Sequence, residues 1–536
     1  MRPESTDCGV EAHDPAFRIS YRLGVALVSV CLLLSQWLVP STSGEAQSSS
    51  EALSHLTKGQ QALESHHLNE AKEHFQRALK ADPSLAEAQL FLGIAEFQAG
   101  ENPAAIRHFG AYLELHPDSF DGHYNLALAC LREQNIEEGQ RHLEQALSLN
   151  PRHTDAAYNL AVVHLERGRG EEALLRLRGL PKSRPDVAYH LIRAELLTGH
   201  FDEATQEASL GAKNFSKDVA WTASVGQLFL SHGQSREAIK HLTAAWLLQP
   251  GSDEIRRSLA AAYVEAREPD KALALLKAAT GGEDRYLAAS ALLLQRRLPE
   301  ALEETLQALK QDPREPRYLL QKARIIQRLG RHLESLEILQ QVSQSQPRWA
   351  EPHYSSGVSY YLLRRYDEAR RSLGQALELD PRSRRGLFLY AATLANEGKN
   401  AEGEQYLLRA MALDPSDARF HYHLGAMRLR DNRPEDARRS FEDAIRLKAD
   451  YALPHYQLGK LLASSNQLQP AARELETAVR CQPDLAQAFY HLGRVYARLG
   501  EAEKSTRALA SFQQFKQEAA NEDREFMENI QKELEF

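Results

Sequence analysis

Apolar positions along this chain recur on a helical period, and the pattern then repeats at a longer interval. In "NEAKEHFQRAL" (69–79), "DEARRSLGQAL" (367–377) and "EDARRSFEDAI" (435–445), a small residue, a large apolar residue and an alanine fall at i, i+4 and i+7. These are Ala71, Phe75 and Ala78, then Ala369, Leu373 and Ala376, then Ala437, Phe441 and Ala444. That spacing marks one face of an α-helix. Upstream of each such segment a second apolar pattern occurs, as in "HYHLGAMRLR" (421–430), where Leu424 and Gly425 stand one turn before Met427 and Leu429. The spacing predicts two helices of ordinary length, joined by short polar breaks such as "RDNRPED" and "ERGRGEE". Prolines close the pairs at a fixed interval: Pro83, Pro117 and Pro151, then Pro313, Pro347, Pro381 and Pro415, each 34 residues after the last. Proline ends a helix because it lacks the N–H and restricts the residue before it.

Glycine recurs inside the first helix of the pair, at Gly59, Gly93, Gly226, Gly357, Gly425, Gly459 and Gly493. It costs about 1 kcal/mol there relative to alanine, so a close approach of the paired helix is expected at these positions. With its Leu-Gly, Tyr, Ala, Phe and Pro at set offsets, the 34-residue unit resembles the tetratricopeptide repeat. The resemblance implies an all-α fold, a right-handed α-solenoid of about 14 helix-turn-helix repeats with a C-terminal capping helix. The repeats begin near residues 52, 86, 120, 154, 185, 219, 253, 282, 316, 350, 384, 418, 452 and 486. Two are short: 31 residues from Thr154 and 29 from Asp253, each attributed to a shortened link to the next repeat. The expected organisation is therefore four repeats over 52–184, three differently stacked repeats over 185–281, seven over 282–515 and an acidic capping helix over 516–536. Phe512, Phe515, Phe526, Ile530 and Leu534 would form the apolar face of that helix.

The N-terminus breaks the pattern. Arg18 and Arg22 precede an uncharged apolar run, Leu23–Val39, and small polar residues follow it. This is the layout of a secretory signal over residues 1–46, with a short linker at 47–51. A retained membrane anchor over 23–39 is the alternative, since 17 helical residues span roughly 26 Å. Either reading places the body outside the cytoplasm, periplasmic or secreted. Net charge is −8, which gives no general attraction for nucleic acid. Four cysteines are too few for a disulfide scaffold.

Candidate chemistry is sparse. His421 and His423 stand two apart on one helix, so they point about 200° apart and cannot share a metal ion. His421, like His123, His353 and His455, takes an offset that packs inside the repeat. From Arg314 to Asp450 there are 24 Lys/Arg against 19 Asp/Glu, a mild basic excess. No phosphate loop, nucleophile elbow, CxxC or HExxH is present, so neither catalysis, nor a cofactor, nor a metal is expected. In the resembling family the first helices line a concave groove that takes extended peptides or partner helices. Offset five of the repeat carries the candidate partner-binding row: Tyr124, Tyr158, Tyr189, Tyr354, Tyr422, Tyr456 and Tyr490, with Tyr286 and Phe388 in line and Ala223 and Arg257 interrupting it. Offset six adds Asn125 and Asn159, in the "YNLA" form of the asparagine ladder of the O-linked GlcNAc glycosyltransferase, whose amides hold a peptide backbone. The expected function is an exported scaffold that binds protein partners, with no nucleic acid. The alternative is a regulatory or substrate-selecting subunit of an envelope enzyme or export complex, of glycosyltransferase or polysaccharide-export type.

Overall fold

The computed structural model describes residues 43–278 and 280–518. Among these residues there are helices and no strands. The chain divides into two compact bodies, up to Ala266 and from Arg267 onward. The first holds α1 (Ser43–Glu64), α2 (Leu68–Ala81), α3 (Ala86–Gln98), α4 (Asn102–Leu115), α5 (Phe120–Arg132), α6 (Ile136–Leu149) and α7 (Thr154–Glu166). It continues with α8 (Gly170–Leu177), α9 (Pro185–Thr198), α10 (Phe201–Asn214), α11 (Val219–Ser231), α12 (Ser235–Leu248) and α13 (Asp253–Glu265). The second body holds α14 (Pro269–Leu276), α15 (Gly282–Leu294), α16 (Leu298–Gln311), α17 (Pro316–Arg328), α18 (His332–Ser345), α19 (Ala350–Leu362), α20 (Tyr366–Leu379) and α21 (Arg384–Asn396). It ends with α22 (Asn400–Leu413), α23 (Ala418–Arg430), α24 (Pro434–Leu447), α25 (Ala452–Ser464), α26 (Leu468–Cys481), α27 (Ala486–Leu499) and α28 (Ala502–Glu518). Odd-numbered helices are the first of each pair and even-numbered helices the second.

Within each body a second helix packs on its own first helix and on the first helix of the next repeat, as α4 does on α3 and α5 and α20 on α19 and α21, and neighbouring first helices touch, as α3 does α5 and α19 does α21. First helices are therefore covered on several sides and bury most of their length. α5 buries Tyr124, Leu126, Ala127, Leu128, Ala129, Cys130 and Leu131, whereas α6 buries only Gly139, Leu143, Ala146 and Leu147. The second helices keep one charged face in water, as the i, i+4, i+7 pattern requires.

The recurring glycine has the physical cause expected of it. A Cβ on Gly425 would lie 2.6 Å from Phe441 Cε1, and one on Gly59 would lie 2.5 Å from Phe75 Cε1. The paired helices approach until a large apolar side chain of the second helix lies against the bare backbone of the first, a phenylalanine at Gly59, Gly93 and Gly425 and a leucine at Gly226, Gly357, Gly459 and Gly493. Between the two helices, offset 15 of every repeat has a positive φ. Glycine occupies it at Gly100, Gly168, Gly199, Gly233, Gly330, Gly398 and Gly500; His66, Gln134, Arg267, Arg296, Arg364, Asn432 and Asn466 occupy it in the others. The closing proline sits in a β-turn. Leu85 N donates to the Asp82 carbonyl across Pro83, and Asp82 Oδ1 accepts from Ser84 N at 3.0 Å.

Three expectations change. The short repeats do not owe their length to the link; their second helices are truncated, α8 and α14 having 8 residues where the others have 14 or more. Residues 47–51 are not a linker, because α1 runs through them from Ser43. The C-terminal helix does not begin at residue 516: α28 is the second helix of the last repeat and extends to Glu518. Its Phe512 and Phe515 lie against Tyr490 and Phe489 of α27, with ring centroids 5.2 and 5.5 Å apart. Leu23–Val39 and Phe526, Ile530 and Leu534 lie outside the described residues. No helix among the described residues is long and apolar enough to cross a membrane.

Candidate interaction face

The histidines at offset four face the second helix of their own repeat. His123 Nδ1 is 2.9 Å from His142 Nδ1, His455 Nδ1 is 2.6 Å from Glu474 Oε2, and His421 Nδ1 is 3.9 Å from Asp443 Oδ2. Burial works against a charged His455, yet Glu474 and the Ala449 carbonyl hold its pKa above the ordinary value. These side chains join the two helices of a repeat.

The tyrosine row does a different job from the one expected. Tyr124, Tyr158, Tyr189, Tyr354 and Tyr456 are all buried, and Phe388 with them. The reason is a joint that recurs between consecutive repeats: the aromatic at offset five meets the residue at offset six of the next repeat. Tyr124 Oη accepts from Asn159 Nδ2 at 3.2 Å, and Tyr158 Oη lies 3.2 Å from His190 Nδ1. The ring of Phe388 stands edge-on to His423 at 4.9 Å, and that of Tyr456 is 5.7 Å from His491. In the same register the Tyr286 carbonyl accepts from Gln321 Nε2. Burial pushes the Tyr124 hydroxyl well above its usual pKa. The area of these rings is thus already covered by neighbouring helices. Tyr422 is half-buried against Phe441 and Tyr451, and Tyr490, 37% exposed, is the most open of the row.

The two asparagines do not form a ladder. Asn159 is buried with its amide on Tyr124, and Asn125 Nδ2 donates back to the Asp121 carbonyl of its own helix at 2.9 Å.

What the first helices leave toward solvent is charge, and it is sorted by helix. α17 carries Arg317, Lys322, Arg324 and Arg328, and α21 carries Arg384 and Arg385. α23 adds Arg419, Arg428 and Arg430, α25 adds Lys460, and α27 adds Arg494 and Arg498. From α17 to α27 the first helices hold a single carboxylate, Glu351. The acids lie on the second helices, such as Glu435, Asp436, Glu442 and Asp443 on α24. In the first body the bias is reversed: α3, α7 and α11 have no lysine or arginine, while Glu87, Asp121, Asp155 and Asp186 recur at offset two. Over both helices of a repeat the two charges nearly cancel, leaving the mild basic excess of 314–450.

Ion pairs tie part of the basic face together across repeats. Arg317 pairs with Glu283 at 2.9 Å and with Glu315 at 3.0 Å. Glu351 lies between Arg324 and Arg385; burial opposes its ionisation, but the two guanidinium groups hold its pKa below the usual carboxylate range. Arg430 and Arg498 reach back to the last turn of the preceding first helix, donating to the carbonyls of Ala395 at 3.4 Å and Ala463 at 2.9 Å. Arg132 does the same to Phe97 at 3.0 Å, a favourable place for a cation at a helix C-terminus.

Side-by-side helix pairs in series define an α-solenoid of helix-turn-helix repeats. Three family models described as tetratricopeptide repeat match the chain: one over residues 131–196 and 229–293, one over 56–120, 98–138, 391–452 and 456–521, and one over 350–383. Together they span more than half of its 536 residues, and the chain belongs to the tetratricopeptide repeat family. As a tetratricopeptide array it is a scaffold for protein–protein interaction. No curated protein matches the sequence significantly. Among solved structures the chain is similar to the APC/C hetero-tetramer Cut9–Hcn1, at 12% identity over 84% of this chain and 98% of that one, with a TM-score of 0.43. It is similar to yeast Tom70 at 15% identity over 84% and 96%, TM-score 0.35. It is also similar to the human IFIT1 dimer with PPP-AAAA at 16% identity over 71% and 93%, TM-score 0.41.

Proposed function

We propose that the protein is an exported, non-catalytic scaffold that holds extended or helical segments of protein partners along the row of its first helices. The observation that carries this reading is the alignment of first helices in consecutive repeats, with arginines, lysines and Glu351 of successive helices half-exposed on the same elements. Many modest contacts in series would give avidity without a deep pocket. Location outside the cytoplasm rests on Leu23–Val39 and its basic flank.

The test is photo-cross-linking in cells. A photoreactive residue at Asn396, exposed on α21, should capture protein partners, whereas one at Arg439, exposed on α24, should not. Adducts from Arg439 alone would move the interaction to the second helices. Fractionation of the same cells should find the full chain outside the cytoplasm; recovery in the cytosol would refute export.

A further inference from the structure

At the end of the second body the basic face changes character. Arg317, Arg324, Arg384, Arg385, Arg419 and Arg428 each have a carboxylate partner. Further along, the cations are held differently. Lys460 Nζ donates to Gln457 Oε1 at 3.3 Å and stands 5.0 Å from the centre of the Tyr456 ring. The Arg494 guanidinium lies 5.7 Å from the centre of the Tyr490 ring. Arg498 is satisfied by the Ala463 carbonyl and by Asn466 Oδ1, and Arg430 by the Ala395 carbonyl. Carbonyls, amides and rings orient these four groups but do not neutralise them.

We infer that the stretch of first-helix face formed by α23, α25 and α27, centred on Lys460, His491 and Arg494, docks an acidic segment of a protein partner. This rests on the interaction reading above and specifies the chemistry of the partner. A run of Asp or Glu side chains supplies what the face lacks, negative charge against cations already positioned by their neutral partners. The surroundings register the uncompensated charge: burial lowers the His491 pKa, and the nearby positive charges of Lys460 and Arg494 lower it further. Burial lowers that of Lys460 as well. Exposed Tyr490 and Gln487 flank the site and offer ring and amide contacts to a peptide. Protein is favoured over nucleic acid by the repeat family and by the overall charge of −8.

Fluorescence anisotropy with the full chain tests the assignment. The probe is a labelled Glu-rich peptide, compared with its Gln and Lys counterparts at low and physiological salt. The Glu peptide should bind about tenfold more tightly than the Gln peptide, and less so as salt rises. Lys460→Glu with Arg494→Glu should abolish that preference and bring in the Lys peptide. Arg494 is exposed, so Arg494→Glu alone provides a variant whose folding is not in question; it should lose part of the preference with unchanged helicity. Equal binding of Glu and Gln peptides would overturn the inference while leaving the cross-linking result of the first-helix face standing. So would a preference that the variants do not alter. A single-stranded RNA oligonucleotide that displaces the peptide and binds more tightly would assign the face to nucleic acid instead. Self-association by sedimentation that the double variant removes, with no peptide bound, would assign it to the acidic first helices of a second copy; either result ends the proposal.

Discussion

A glycine in a helix is ordinarily a weakness, and here the sign of its replacement depends on what faces it. At Gly425 the added methyl would fall 2.6 Å from a ring carbon of Phe441, a side chain with no exposed surface. Gly425→Ala should destabilise the second body by about 1–2 kcal/mol, because overpacking outweighs the gain in helix propensity. Gly374, in α20, has only Tyr390 at 3.8 Å, and Gly374→Ala should stabilise by about 0.5–1 kcal/mol. Denaturant melts of the two variants give opposite shifts if the contact governs. Offset 15 supplies a second test. Gln134 holds a φ of 60°, where a side chain is strained, so Gln134→Gly should stabilise by about 0.5–1 kcal/mol. Asn432→Gly, at a residue that tolerates this conformation, should do far less. A third residue-scale effect is electrostatic. Glu96 and Glu195 are buried on first helices, and burial raises their pKa values to about 7, with Glu101 and Glu207 adding to the effect. A carboxyl raised in the folded state stabilises fully below the unfolded value and loses that contribution as pH climbs through the folded one. Stability should therefore fall between about pH 4.5 and 7. Glu96→Gln and Glu195→Gln should each raise the pH 8 stability by about 1–3 kcal/mol and change it little at pH 4.

At the scale of the helix, the sequence showed the pairs clearly because two periods coincide, the helical one within a pair and the 34-residue one between pairs. The breaks were legible as polar and short, but not the left-handed residue in each of them, since histidine, glutamine, arginine and asparagine together serve there as often as glycine. The two short repeats were legible as short; where the residues were missing was not. "RGLPKSRPDVAY" looks like a compressed link, yet the loss falls on α8. A helix of 8 residues has two turns to hold its amides, and cooperativity is poor at that length. Hydrogen exchange should find α8 and α14 protected less than the 14-residue second helices beside them, such as α6 and α16. Equal protection would mean that packing alone sets the local stability. The burial of Tyr124, Tyr158, Tyr189, Tyr354 and Tyr456 was not legible at this same scale. A regular aromatic at one offset can face a ligand or the next repeat, and one sequence cannot distinguish the two. The clue available was the polar residue that often follows it, as at Asn159, His423 and His491, which in the fold belongs to the preceding aromatic.

For the molecule as a whole, the charge distribution was hidden by averaging along the chain and became visible once residues were assigned to first or second helices. The division into two bodies at Ala266 falls inside the repeat that begins at Asp253, a place where the sequence announced only a shortened unit. Because stability in such arrays is a sum over neighbours, unfolding need not be all-or-none. Urea melts followed by circular dichroism should resolve more than one transition. Gly425→Ala should move the transition of the second body and leave that of the first in place; a single transition moving as a unit would show one cooperative system.

The joint between repeats has a consequence for how such a chain can change length. Asn159 finds Tyr124, His423 finds Phe388 and His491 finds Tyr456 across the same interval of 35 positions, so the repeats that carry the aromatic present their successors with an equivalent socket. Excising a complete block of 34 residues would bring a foreign pair together in the original register, and a unit shortened within its second helix keeps the joint too, as Tyr158 and His190 do across 32 positions. The protein can be lengthened, shortened or spliced by whole modules, with the second helix as the place where a module itself can be trimmed.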